Sequence, residues 1–159
     1  MNTLTNYPLS LSPQKLALLK WEVRAIEAYL GEFDPPTSGG RRRARLSPSG
    51  EIILIANFPL PDGYAPDKID LIVGVSQYPQ WPPIGLYVMN QGNDALIAQL
   101  RERFSAYQDG AGHSADPVPG YTWLCYSYAG NTWRYCTPYP ARGDNVRKFL
   151  ATFFALCAK

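Results

Sequence analysis

The sequence predicts an α+β fold, with helices packed on an antiparallel sheet, from three observations. An apolar stripe at helical spacing opens the chain (Leu16, Leu19, Val23, Ile26, Leu30). Four strand-like runs follow one another through short links marked by Pro and Gly. A second helical stripe, Val146, Phe149, Leu150, Phe153 and Leu156, closes the chain. Neighbouring strands joined by short links pair most simply as an antiparallel meander, so the expected order is N-terminal helix, four-stranded meander, C-terminal helix. All 159 residues are expected to form a single domain, since neither a repeat nor a composition shift divides them.

The first helix has Ser12 as its N-cap and Pro13 at its first position, and Gly31 followed by "DPP" closes it. Lys15, Lys20, Arg24 and Glu27 fall on its other face, which reads as solvated. "TSGGRRRARL" leads into a first, partly exposed strand, "SPSG" turns the chain, and "EIILIANF" is the second. "PLPDGYAPD" connects to a third strand in "KIDLIVGVSQ". The stretch "YPQWPP", residues 78–83, then separates it from a fourth in "IGLYVMN". Proline fixes φ and lacks an amide donor, so this stretch is a defined bend and not a loose loop. "NDALIAQLRERFSAY" reads as a short helix capped by Asn93 or Asp94, "QDGAGHSADPVPG" as a long irregular loop. Strand-like aromatic segments flank the "AGN" turn, and Asp144 is expected to cap the last helix.

Composition narrows the function. Hydrophobic residues make up 46% and charged residues 18%, values of a globular chain and not of a disordered one. The net charge of +2 argues against a nucleic-acid partner, which needs a concentrated basic face; the arginines at 41–43 and 45 are not extended by neighbours. No apolar run reaches the roughly 18 residues of a membrane span, and the N-terminus shows no basic start with an apolar core, so neither membrane nor secretion is expected. Three cysteines without a CxxC pair, and one histidine, fit free thiols in a reducing cytoplasm and no metal site.

Residues 58–88 carry a resemblance. Tyr78, Pro79, Pro82 and Pro83 match, position by position, the Tyr-Pro-x-x-Pro-Pro turn between two strands of ubiquitin-conjugating (E2) enzymes. Leu60, Pro61, Gly63, Tyr64 and Pro66 are similar to the Leu-Pro-x-Gly-Tyr-x-Pro segment that opens this meander in bacterial E2-related proteins. The resemblance implies the UBC-like fold and a transferase activity. A ubiquitin-like modifier is accepted from an E1-like activating enzyme as a cysteine thioester, then passed to an amine of a protein target, without a cofactor. A thiolate suits this chemistry because it both attacks a thioester and leaves readily.

Cys125 is the first choice of nucleophile: Leu124 precedes it and Trp133 lies eight residues on, as in the family. His113 and Gly120 keep the family's spacing of seven, although the step from Gly120 to Cys125 is two residues longer. "YTWLCYSY" reads equally as a buried strand with Cys125 in the core. Cys136, ahead of "TPYPARG", is the rival, and Cys157 falls on the apolar stripe. The family's His-Pro-Asn triplet is replaced here by His113, Ser114 and Ala115, leaving Asn131 as a candidate supporting residue from the other side. Asp116 or Asp144 is a candidate to deprotonate an attacking lysine. Partner contacts are expected at Lys15, Lys20 and Arg24 on the first helix and at Tyr78, Trp81 and Pro82 on the turn. Two other functions fit less well: a non-catalytic module of the same fold, and a cysteine hydrolase built on Cys125 and His113.

Overall fold

The computed structural model describes residues 11–33, 42–108, 118–125 and 132–159. Helix α1 (Pro13–Phe33) begins as expected: the Lys15 amide donates to Ser12 Oγ at 3.1 Å. Leu19, Ile26, Tyr29 and Leu30 are buried on one face. That face also carries Glu22, which is wholly buried.

Six strands, not four, make the sheet: β1 (Ala44–Leu46), β2 (Ile52–Pro59), β3 (Lys68–Gly74), β4 (Leu86–Met89), β5 (Ser105–Gln108) and β6 (Tyr121–Cys125). Their order is β1-β2-β3-β4-β6-β5 and every pairing is antiparallel. The first four form the expected meander. Of the two additional strands, β5 comes from the tail of the segment read as a helix, and β6 from the aromatic segment read as strand-like. Helix α2 spans only Asp94–Leu100, because its apolar positions Leu96, Ile97 and Leu100 end there. Beyond it Phe104 turns into the core, 5.3 Å from the Phe153 ring, and "SAYQ" pairs with β6. The non-local pairing with β6 overrides the local helix propensity of that tail. Asn93 is the cap residue of α2, but its side chain turns back to donate to Met89 O.

β2 carries a bulge between Ile55 and Phe58, where Asn57 has φ 55° and its amide donates to the Asp70 carboxylate at 3.0 Å. Helix α3 (Val146–Cys157) is capped by Asn145, whose side chain accepts from the Lys148 amide, and not by Asp144. Asp144 instead accepts from the Arg134 amide at 2.7 Å and returns its own amide to Arg134 O.

Strand alternation sorts the sheet into two faces. Ile53, Ile55, Leu71, Val73, Leu86, Val88 and Leu124 pack with α1, α2 and α3 in the main core. Phe58 and Phe153 close it with ring centroids 5.9 Å apart. The opposite face holds a smaller cluster of Ile72, Tyr87 and Trp123, against which Ile84, Tyr107, Tyr121 and Cys125 pack. Among the described residues no helix is long and apolar enough to cross a membrane.

Candidate functional site around Cys125 and the proline turn

The proline turn is anchored from within. Tyr78 is 3% exposed, and its hydroxyl donates to the Glu22 carboxylate of α1. Both Glu22 oxygens lie 3.0 Å from the Val146 amide, the first of α3, and the Arg147 amide also donates to this carboxylate. Helix-start amides have no partner inside the helix, and an anion there complements the helix dipole, so the carboxylate meets a need that α3 creates. Burial pushes the Glu22 carboxyl above its ordinary value; the two amides, the Tyr78 hydroxyl and the Arg147 charge pull it back only in part. Burial, reinforced by the Glu22 charge, pushes the Tyr78 phenol up as well.

From the other side, the Trp133 indole donates to Pro79 O at 2.7 Å. The turn residue Pro79, in cis linkage to Tyr78, is thereby tied to the described stretch that begins at residue 132. The end of the turn is tied to that strand too. The Trp123 indole of β6 donates to Ile84 O, and Gly85 has φ +98°. A Cβ on Gly85 would strike the Trp123 indole and come within 2.6 Å of Leu124 O. Only glycine permits both the backbone angle and this close approach.

Cys125 is the last residue of β6, paired with Ser105 on the outer strand β5. It is half-buried on the face of the sheet that carries Trp123 and not in the main core. Burial pushes its thiol up, and among the described residues no charge pulls it back. Cys136 is also half-buried. Its segment lies along residues 143–144: a Cβ on Gly143 would fall 2.5 Å from the Cys136 amide nitrogen. Cys157 is a core residue, its thiol pushed up to about 12 by burial, while its carbonyl accepts from the Tyr64 hydroxyl at 2.8 Å.

His113, Asn131 and Asp116 lie outside the described residues. The remaining expected residues separate into surface and interior. Trp81 is 64% exposed, Lys20 and Arg24 are exposed, and Pro82 is half-buried. Tyr78, expected to meet partners, is instead an interior anchor, because its hydroxyl is needed by a buried carboxylate. Lys15 is half-buried and its ammonium donates to Ser76 O at 2.8 Å, just ahead of the turn. Burial pulls this ammonium down, partly offset by Glu51. Glu27, read as solvated, accepts from the Arg43 and Ala44 amides at 2.5 and 2.6 Å and so ties α1 to the start of β1.

Glu22 was absent from the sequence reading. The signal was present: it lies three residues after Leu19 and four before Ile26, inside the apolar stripe. A carboxylate at such a position needs donors from elsewhere in the fold. Among the described residues no group of three or more His, Cys, Asp or Glu side chains is arranged to hold a metal ion. Compared with protein-family models, with curated proteins and with solved structures, the chain matches none.

Proposed function

We propose that this protein is an E2-like conjugating enzyme of UBC-like fold whose nucleophile is Cys125. The Cys125 thiolate attacks the thioester carbonyl of a ubiquitin-like modifier carried by an E1-like enzyme. A new sulfur–carbon bond forms at Cys125, the old one breaks, and the E1 thiolate leaves. A target amine then attacks the same carbonyl, loses a proton, and releases the Cys125 thiolate. The observation that supports this most is the 2.7 Å bond from the Trp133 indole to Pro79 O. It joins the two motifs that carry the resemblance, the proline turn and the tryptophan eight residues after the cysteine, which composition alone gives no reason to bring together.

Exposed Trp81 beside Pro82, and Lys20 with Arg24 on α1, are the surfaces proposed to meet the E1-like enzyme, the modifier or the target. Three free thiols suit a reducing compartment such as the cytoplasm. A second reading, a non-catalytic module of this fold, is favoured by one observation: burial pushes the Cys125 thiol up, away from the thiolate that the reaction needs.

A charging assay decides between them. The protein is mixed with ATP, an E1-like enzyme and its ubiquitin-like modifier, and run on a non-reducing gel. The proposal expects a reductant-sensitive band in wild type and Cys136→Ser that is missing from Cys125→Ser. Loss in Cys136→Ser alone would move the nucleophile, and no band beside a charged E1 would favour the binding module.

A further inference from the structure

Glu22 takes no part in the thioester chemistry, yet it is a fully buried carboxylate at the meeting point of three separate elements. From α1 it receives the Val146 and Arg147 amides of α3 and the Tyr78 hydroxyl of the proline turn. One residue further along the turn, Pro79 presents its carbonyl to the Trp133 indole. Trp133 is followed at once by Arg134, whose amide and carbonyl are both held by Asp144, the residue before the cap of α3. The bonds therefore close a circuit: Glu22 to Tyr78, Pro79 to Trp133, Arg134 to Asp144, and α3 back to Glu22. A ring of this kind fixes the relative position of its members more firmly than any single bond does, because no member shifts without disturbing the others.

We infer that Glu22 is a positioning residue, which through Tyr78 and Pro79 fixes the place of Trp133 and Arg134. In its carboxylate form it offers lone pairs to all three donors at once. A glutamine has one acceptor oxygen; its amide nitrogen cannot serve the α3 N–H groups, and it meets the Tyr78 hydroxyl only by reversing a charge-assisted bond into a weaker neutral one. A phenylalanine at position 78 keeps the ring in its pocket and removes only the hydroxyl. Glu22→Gln thus weakens, and Tyr78→Phe removes, the same bond of the circuit. The inference rests on the proposed function only for its catalytic consequence; the bonding circuit stands without it.

The test is accordingly made on the protein alone, with neither E1 nor modifier. Hydrogen exchange of the Trp133 indole N–H is followed by NMR, its signal assigned with Trp133→Phe, in wild type, Tyr78→Phe, Glu22→Gln and the double variant. Tyr64→Phe is the control. It removes a comparable buried hydroxyl bond, to Cys157 O at the far end of α3, without touching the circuit. Exchange at Trp133 is expected to rise about five- to tenfold in Tyr78→Phe, the scale of one lost buried hydrogen bond, and by a smaller factor in Glu22→Gln. It is expected to rise little further in the double variant and to remain at the wild-type rate in Tyr64→Phe. Unchanged exchange in Tyr78→Phe, or an equal rise in Tyr64→Phe, would overturn the inference, the second because it would mark general loosening. Should Glu22→Gln fail to fold, Tyr78→Phe against Tyr64→Phe gives the answer. Charging is measured separately on the same variants, so a failure of the enzyme reading is seen apart from a failure of the circuit.

Discussion

The Tyr78 hydroxyl donates to the Glu22 carboxylate directly at the start of α3, where both carboxylate oxygens are 3.0 Å from the Val146 amide. A side chain from the first helix accepts from the first amides of the last helix, and one from the proline turn holds that carboxylate in place. Removing the hydroxyl alone leaves Glu22 with its α3 donors, so Tyr78→Phe should cost about 1–2 kcal/mol. Glu22→Ala leaves the phenol and the helix-start amides without an acceptor and opens a cavity, and should cost about 3 kcal/mol or more. Urea denaturation of the three proteins, compared at equal slope, measures both.

The Glu22 carboxyl also gives stability a pH dependence of definite sign. Its native value is raised by burial above the ordinary 4.5, so in that interval the native protein binds a proton that the unfolded chain releases. Stability from this group is then fully present below 4.5 and is lost as pH rises through the native value. Glu22→Gln lacks the group. The melting temperature of wild type relative to Glu22→Gln should therefore rise as pH falls from neutral toward 4.5, with a slope limited to about 1.4 kcal/mol per pH unit for one proton. A difference that is flat or falls on acidification would contradict the assignment.

Gly85 and Gly92 make a matched pair. Both have positive φ, +98° and +78°, but a Cβ on Gly92 meets nothing within 4 Å, whereas on Gly85 it strikes Trp123 and Leu124 O. Gly92→Ala should cost about 1 kcal/mol for the backbone angle alone. Gly85→Ala should cost about 3 kcal/mol or more, because the clash falls on β6 backbone as well as on the indole. Thermal unfolding with near-ultraviolet circular dichroism of Trp123 distinguishes the two.

The capping of α3 gives a further contrast. Asn145 accepts from the Lys148 amide at 2.9 Å and donates to Pro140 O at 3.1 Å, so Asn145→Ala should cost about 1–2 kcal/mol. Asp144→Asn keeps an acceptor for the Arg134 amide and should cost under about 1 kcal/mol. Reversed costs in a denaturant series would return the cap to Asp144.

What the sequence made legible follows from periodicity. The stripes of α1 and α3 and the alternation of β3 were readable because burial on one face repeats at 3.6 or 2 residues, and β2 and β4 as apolar runs bounded by turn residues. The strand at Ser105–Gln108 was not, since four residues give too short a pattern to separate from the helix before them. Only its pairing with β6, a non-local contact, defines it. At the candidate site Cys125 and Trp133 could be named only from the resemblance, and the proline turn as a defined bend from its residues. The role of Tyr78 could not, because its aromatic body suggests a surface and only the buried carboxylate across from it says interior. The cap expected at Asp144 falls to Asn145 for a similar reason: both are good capping residues, and the hydrogen bond to Arg134 assigns Asp144 elsewhere.

The most direct test of the proposed chemistry is the intact mass of the protein after incubation with ATP, an E1-like enzyme and its modifier, followed by peptide mapping of the adduct. A gain equal to the modifier less one water, removed by thiol reductant and located on the peptide that contains Cys125, is the expected result. No gain in mass while the E1-like enzyme itself becomes charged, or an adduct on the Cys136 peptide that persists in Cys125→Ser, would contradict it.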